Sequence, residues 1–431
     1  MATSAATSTS GAVGANKRRS SSPGSRPTSE LDSRRPLRLF IAGASGSGAG
    51  KSTVALGLLG SLLREGRYRA DELAYIKPCT QGIQQTLVAK WCKSVGIRCR
   101  HVGPVVFFRG FTQHFLTGEL PAATYGSDPK QYAQKLQSMV EQAVDELLSH
   151  SERGDTRPTD PEDHATGTGK DSIIKRAKAA HEDEVGEGNE EKVHRYNGHD
   201  SPYRAAGACG EGAKQRSTTV KLLVIDGVGY PGVGSLCGVS NAKVALLCRA
   251  PVLVVGKAGL GDCIDSYAQA KAFFEKERVP VLGLLVNRVR AGGEMKKTGY
   301  VKHYFIDEEE KGKGVEQGRS TTGRSSTTSR SLSCSLEKLY GILPENDVFG
   351  SVPFDGYAPP GEHSACAISF RAPDPRQLTV DACSPEEQRI CDALIANFQQ
   401  HVSSQTVASL LRDCGAAAEQ IYNGNRDCVM W

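Results

Sequence analysis

Short, uninterrupted apolar runs alternate along the chain with segments in which apolar residues recur every three or four positions. The runs predict buried strands, because a strand covered on both faces carries apolar side chains at nearly every position. They are residues 37–42, 73–76, 104–108, 222–225, 252–255 and 281–286. The periodic segments predict helices at residues 52–63, 132–148 and 264–274. Strands interleaved with helices predict an α/β fold, a parallel sheet with helices on both faces.

Three polar segments interrupt this pattern and are predicted to be long disordered regions. Residues 1–36 are rich in Ser, Thr, Ala and Gly, whereas residues 151–217 are highly charged and poor in apolar side chains. A third segment of similar character runs from about residue 291 to residue 333. Such sequences bury too little apolar surface to offset the entropy of ordering them, and long surface insertions cost little stability.

The rest of the chain is predicted to form one domain followed by a helical addition. The apolar runs place the domain at residues 37–356, with the two internal segments as insertions. The pattern is weaker over residues 357–431, where helices are predicted at 385–398 and 406–414. We expect these helices to pack against the sheet.

The formal net charge of +5 lies mostly in the N-terminal segment, whose six basic and two acidic residues supply +4. The folded part is therefore nearly neutral, and no nucleic-acid-binding face is predicted. No stretch reaches the ~18–20 apolar residues of a membrane span. The 13 cysteines form no CxxC pair, which favours free thiols in a reducing compartment. A cytoplasmic protein is predicted; the Arg- and Ser-rich N terminus leaves a mitochondrial or plastid targeting segment open.

The most specific motif is the glycine-rich segment 43–53, GASGSGAGKST, between the first predicted strand and the first predicted helix. A phosphate-binding loop requires this context, since glycines let successive N–H groups converge on phosphate oxygens at a helix N terminus. The residues expected to bind a nucleotide here are Gly46, Gly48, Ala49, Gly50, Lys51, Ser52 and Thr53. Lys51 is expected to neutralise the β- and γ-phosphates, and Ser52 to ligate Mg²⁺. The strict motif has glycine six residues before the lysine, where this chain has Ser45.

Three polar residues each follow a predicted strand. Asp226 ends the run 222–225 and is followed by Gly-Val-Gly, which predicts a ligand for Mg²⁺, with a turn cap as the alternative. Lys77 follows the run 73–76, so its ammonium is expected at the carboxyl edge of the sheet, where ligands bind; a solvated lysine is the alternative. Asn287 follows the run 281–286, and its amide suits either a purine edge or a turn.

Taken in order, these segments resemble the dethiobiotin synthetase-like branch of P-loop proteins. The matching segments are residues 43–53, 76–78, 225–229, 250–255 and 285–288. A closer likeness, to the synthetase-like domain fused to some bacterial phosphotransacetylases, rests on residues 108–112, 232–235 and 240–242. Residues 350–353, GSVP, resemble the closing strand of the family.

The resemblance implies a P-loop sheet that uses ATP and Mg²⁺, often in a homodimer. In the synthetases a diamine takes up CO₂, ATP phosphorylates the carbamate, and the second amine displaces phosphate to close a cyclic urea. If the residue roles of the family carry over, Lys51 and Lys77 would be catalytic. Lys77 would stabilise the carbamate and the charge of the phosphoryl group during transfer. Ser52 and Asp226 would hold Mg²⁺. Asn287 would contact the base.

The chain departs from the family at two points. The synthetases usually carry Glu where Asp226 stands, and they have a second metal-binding aspartate beyond the Lys-Pro pair. Here residues 79–100 contain no acidic side chain. Two functions therefore stay open: an ATP-dependent ligase acting on a small diamine, and a nucleotide-binding regulatory or partner-binding module of the same fold. A small-molecule kinase related to uridine kinase is suggested by residues 46–53 alone. The sequence does not identify the acceptor.

Overall fold

The computed structural model of the chain describes residues 35–45, 48–83, 85–100, 102–149, 219–305, 337–346 and 380–424. The predicted insertion 151–217 and the predicted closing strand 350–353 lie outside these residues, as does nearly all of the N-terminal segment. None of the helices in the described ranges combines the length and the hydropathy that a bilayer span requires.

The strands confirm the predicted α/β class. They are β1 (Leu37–Gly43), β2 (Leu73–Ile76), β3 (Cys79–Thr80), β4 (Arg98–Arg100), β5 (Val105–Val106), β6 (Leu222–Asp226), β7 (Val252–Gly256), β8 (Val281–Val289) and β9 (Lys338–Pro344). Seven of them form one sheet in the order β4-β2-β6-β1-β7-β8-β9. Every neighbouring pair in this sheet is parallel.

Helices cover both faces of the sheet. They are α1 (Lys51–Arg64), α2 (Leu87–Val95), α3 (Phe111–Thr117), α4 (Ala122–Tyr125), α5 (Tyr132–Ser149), α6 (Asn241–Leu247), α7 (Gly261–Lys276), α8 (Gly293–Gly299), α9 (Pro385–His401) and α10 (Ser404–Gly424). Side chains of β1 alternate between the two cores. Phe40 and Ala42 join the core that contains α5, α6 and α7. Leu39 and Ile41 join the core that contains α1, α2, α9 and α10.

The two C-terminal helices complete the second of these cores. Gly57 and Gly60 of α1 let α9 approach closely, because a Cβ at Gly57 would lie 2.5 Å from Phe398 and a Cβ at Gly60 would lie 2.4 Å from Ile395. Lys90 of α2 adds an ion pair to the first turn of α9, at Glu387. Residues 385–424, predicted as an addition, are thus part of the layer that buries α1.

The structure differs from the sequence prediction at several points, and the helices α2, α3, α4 and α6 are among the elements that were not predicted. Within 104–108 only Val105–Val106 forms a strand, and it pairs with β3 instead of entering the main sheet. The strands β3, β4 and β9 were not predicted: β3 has two residues, β4 carries arginines at both ends, and β9 is interrupted by Gly341 and buries only Tyr340 and Leu343. The predicted insertion 291–333 begins with helix α8, followed by helical residues 301–305, and Thr298 and Val301 are fully buried. That part of the insertion is therefore folded.

Candidate functional site

The predicted site residues meet at the carboxyl edge of the sheet. In the parallel register Ile41 of β1 is paired with Asp226 of β6, and the residue before Lys77 is paired with the residue before Asp226. Further along the sheet, the residue before Asn287 is paired with the last residue of β7. Because the strands are parallel and nearly in register, their last residues lie along one edge.

The phosphate loop leads directly into the first turn of α1. Gly50 is the N-cap residue, with φ 79°, a backbone conformation that favours glycine. No side chain caps the helix, and its first turn contains no acidic residue. The first N–H groups of a helix without a side-chain cap, together with the helix dipole, form an anion-binding site. Gly46, a predicted nucleotide-binding residue, lies outside the described residues.

Strand β8 braces this loop from the side. The Asn287 side chain is buried, and its Nδ2 donates to the carbonyl oxygens of Ala49 at 3.2 Å and Gly50 at 3.4 Å. Arg288 donates from Nη1 to the Gly48 carbonyl oxygen at 3.2 Å. The structure therefore places Asn287 against the phosphate loop. The base contact implied by the resemblance stays a prediction.

Asp226 is the fully buried acid of the site, and its two oxygens have different surroundings. Oδ2 accepts hydrogen bonds from Ser52 Oγ at 2.6 Å and from Tyr75 Oη at 2.9 Å. Lys77 Nζ lies 3.6 Å from the same oxygen. Oδ1 is buried and has no hydrogen-bond partner within the described part of the chain. The carboxylate therefore keeps one oxygen free of donors.

The orphaned Asp226 Oδ1 and the neighbouring Ser52 hydroxyl fit a magnesium ion. Mg²⁺ takes oxygen ligands in octahedral geometry and usually binds one or two protein groups plus phosphate oxygens and waters. Across the described ranges, no three His, Cys, Asp or Glu side chains are grouped as a metal site. Phosphates and water would therefore supply most of the ligands. Ser52 and Asp226 as metal ligands remain a prediction that this geometry fits.

Two ammonium groups flank the carboxylate and the loop. Lys77 is largely buried and forms an ion pair with Asp226. Lys51 is buried, and its Nζ lies 3.4 Å from the position that a Cβ on Gly43 would take. The Lys51 side chain therefore folds back over the start of the phosphate loop. Both ammonium groups lie beside the start of α1 and Asp226, an arrangement that favours an anionic ligand.

Sequence reasoning missed Tyr75 as a site residue. Tyr75 is fully buried on β2 and donates to Asp226. Burial, followed by the nearby Asp226 carboxylate, raises the pKa of Tyr75 well above its ordinary value, so the hydroxyl stays protonated at neutral pH. Its signal was a hydroxyl within an otherwise apolar strand, since a buried tyrosine needs a hydrogen-bond partner.

Asn241 is a second residue whose role the sequence did not reveal. It lies buried in the first turn of α6, and its Nδ2 donates to the carbonyl oxygens of Val228 at 2.6 Å and Tyr230 at 2.8 Å. Its Oδ1 accepts from the Val228 N–H at 3.0 Å. These bonds fix the loop that follows Asp226. In the sequence Asn241 stood out only as part of a resembling segment.

Comparison with known proteins gives one family match. A family profile described as an AAA domain matches residues 198–328, and that family contains dethiobiotin synthetase-like P-loop proteins. The matched range includes Asp226 and Asn287 but not the phosphate loop. A search of curated proteins gives no match. The similarity and the strand–loop–helix geometry together identify a P-loop nucleotide-binding domain. The match does not bear on the narrower likeness to the phosphotransacetylase-fused domain.

Proposed function

We propose that this protein binds ATP with Mg²⁺ at the carboxyl edge of the sheet and transfers the γ-phosphoryl group to an acceptor bound beside Lys77. The observation that carries the proposal is the contact set of Asp226. One carboxylate oxygen joins Ser52, in the first turn of α1, to Lys77, which directly follows β2. The phosphate end of a nucleotide and a cation on the acceptor side are thereby brought together.

Each group has a distinct task in this reaction. The N–H groups at the start of α1 and the Lys51 ammonium hold the phosphates. Ser52 and Asp226 hold Mg²⁺, which when bound neutralises charge on the β- and γ-phosphates. Lys77 stabilises the negative charge that moves during transfer, because charges in a site with little water act strongly. Asn287 keeps the loop against β8, and we assign it the base contact as well.

The acceptor side favours a small anionic molecule. Lys77 offers a positive charge there, and a carbamate formed from a diamine and CO₂ would match it. A cyclo-ligase reaction of the dethiobiotin synthetase type is therefore our first candidate.

A nucleotide-binding regulatory module is the second candidate, and a specific observation favours it. Lys77 already forms an ion pair with Asp226, and residues 79–100 carry no carboxylate that could serve as a second metal ligand. A protein that binds a nucleotide without turnover would keep Lys77 in this pair. Both candidates share the Mg²⁺–ATP site and differ only in the acceptor.

Calorimetric titration of ATP, with Mg²⁺ and with EDTA, tests the shared part. The Asp226→Asn variant should lose most of the magnesium-dependent gain in ATP affinity, because the amide lacks the charge that Mg²⁺ needs. Asp413→Asn is the matched control. Asp413 is also buried and also accepts from a tyrosine, Tyr340, and a lysine, Lys338, but it lies in α10. Equal magnesium dependence in wild type and Asp226→Asn would leave Asp226 only its structural contacts with Ser52, Tyr75 and Lys77.

Phosphate release separates the two candidates. The ligase should be stimulated by diaminopelargonate with bicarbonate, and Lys77→Met should abolish this stimulation while keeping ATP affinity. A wild type that binds Mg²⁺–ATP but shows no stimulation by this or related diamines would favour the regulatory module. A wild type that binds no ATP would refute both.

A further inference from the structure

We propose that Tyr75 is a positioning residue that sets the orientation of the Asp226 carboxylate for magnesium–nucleotide binding. The inference rests on the proposed Mg²⁺–ATP site and deepens it. Tyr75 acts through Asp226, whose Oδ2 it holds at 2.9 Å.

The surroundings of Tyr75 leave its hydroxyl little freedom. The residue is fully buried on β2, whose backbone is paired with both β4 and β6. Its ring belongs to the core that contains α1 and α2. A tyrosine has two side-chain torsions, and a ring packed in a dense core is held in one of a few positions. The hydroxyl is therefore a fixed donor.

The other two groups on Asp226 Oδ2 are less fixed. Ser52 lies in the first turn of α1, beside the loop that would close on phosphates, and its oxygen is also a predicted ligand for the metal. The Lys77 ammonium is 3.6 Å from Oδ2, which is beyond ordinary hydrogen-bond length, and it lies on a flexible stem. The Tyr75 hydroxyl is thus the donor that stays on Oδ2 when a bound nucleotide alters the contacts of Ser52 and Lys77. That contact leaves Oδ1 as the donor-free oxygen.

The chain contains a second carboxylate with the same kinds of donor. Asp413 Oδ2 accepts from Tyr340 Oη at 2.8 Å, from Lys338 Nζ at 3.0 Å and from Ser409 Oγ at 3.4 Å. Tyr340 is also buried and also lies on a strand of the sheet. This cluster joins β9 to α10. Tyr340→Phe therefore removes an equivalent buried hydrogen bond without touching the site.

The test compares Tyr75→Phe with Tyr340→Phe in the full-length protein. ATP affinity is measured by calorimetry with excess Mg²⁺ and again with EDTA, and thermal melting is recorded for each variant. Tyr75→Phe should reduce the magnesium-dependent gain in ATP affinity about tenfold, the size expected for one hydrogen bond to a charged group. Its ATP affinity in EDTA should match wild type. Tyr340→Phe should lower the melting temperature to a similar extent and leave the magnesium gain unchanged.

A double variant separates positioning from a general structural effect. If Tyr75 acts through Asp226, Tyr75→Phe should cause no further loss of the magnesium gain in an Asp226→Asn background. The inference is overturned if Tyr75→Phe keeps the full gain, if it weakens ATP binding equally in EDTA, or if its effect persists in that background. If Asp226→Asn loses the magnesium-dependent gain in ATP affinity but Tyr75→Phe keeps it, this inference alone is overturned. A wild type that binds no ATP overturns the proposed function and this inference together.

Discussion

Replacing Gly50 by alanine tests whether the phosphate loop and β8 are fitted to each other. Gly50 is the N-cap of α1, with φ 79°. A Cβ at this position would lie 2.1 Å from Asn287 Nδ2, a distance that real Cβ atoms do not reach. Asn287 is buried near the end of β8, so its amide cannot move away without losing its own contacts.

Gly50→Ala is expected to lower the free energy of unfolding for two reasons. An L residue in the left-handed region costs about 1–2 kcal/mol relative to glycine. Displacing the Asn287 amide gives up its hydrogen bonds to the Ala49 and Gly50 carbonyl oxygens, each worth about 1 kcal/mol. The sum is roughly 3–4 kcal/mol of unfolding free energy. The loop would also lose the brace that holds it in place for phosphates.

Gly66 provides the matched control. Its φ is 65°, but a Cβ at Gly66 would meet nothing within 4 Å. Gly66→Ala should therefore show only the backbone cost, about 1–2 kcal/mol. Urea unfolding gives both free energies, and ATP titration reports the loop. In the double variant Gly50→Ala/Asn287→Ala the two losses should be less than additive, because the amide that clashes is gone. Equal destabilisation by Gly50→Ala and Gly66→Ala, or wild-type ATP affinity in Gly50→Ala, would refute the reasoning.

Three further outcomes are expected. Lys51→Ala should abolish or greatly weaken ATP binding in a calorimetric titration, with thermal melting to confirm that the variant is folded; unchanged affinity would contradict its role. Gly60→Val should lower the melting temperature by several degrees, because overpacking against α9 costs about 1–3 kcal/mol; an unchanged melt would mean that the helices separate freely. The Arg69 backbone N–H and the Lys221 ammonium hold the pKa of Glu72 below its ordinary value. The charged carboxylate therefore stabilises the folded state at pH values above the pKa of Glu72 in the unfolded chain. This stabilisation is lost as the pH falls through the pKa of Glu72 in the folded protein. Glu72→Gln should therefore be less stable than wild type in urea unfolding at about pH 7 and nearly equal at about pH 3, and a gap that persists at the lower pH would refute this origin.

The sequence was sufficient for features whose cause is local. Continuous apolar runs separated by helical periodicity predicted the α/β class, which is confirmed, because burial on both faces leaves that pattern in any order of strands. The phosphate loop could also be predicted from the sequence, since its glycines and its position before α1 are visible without knowledge of distant contacts. Strands without such a run were missed. The strand β4 has three residues with an arginine at each end, and β9 begins with a lysine and has Gly341 in the middle of its apolar residues.

The contacts that assemble the site were decided by the tertiary structure. Tyr75 and Asp226 are 151 residues apart, and Asn287 and Ala49 are 238 residues apart. Both pairs depend on which strands are neighbours, and the order β4-β2-β6-β1-β7-β8-β9 cannot be read from local patterns. The C-terminal helices are a similar case, because their fit depends on glycines of α1 more than 300 residues earlier in the chain. A local sequence pattern indicates only how each segment is buried. Side-chain distances across the sheet depend on strand order and register, and these are determined by the packing of the whole chain.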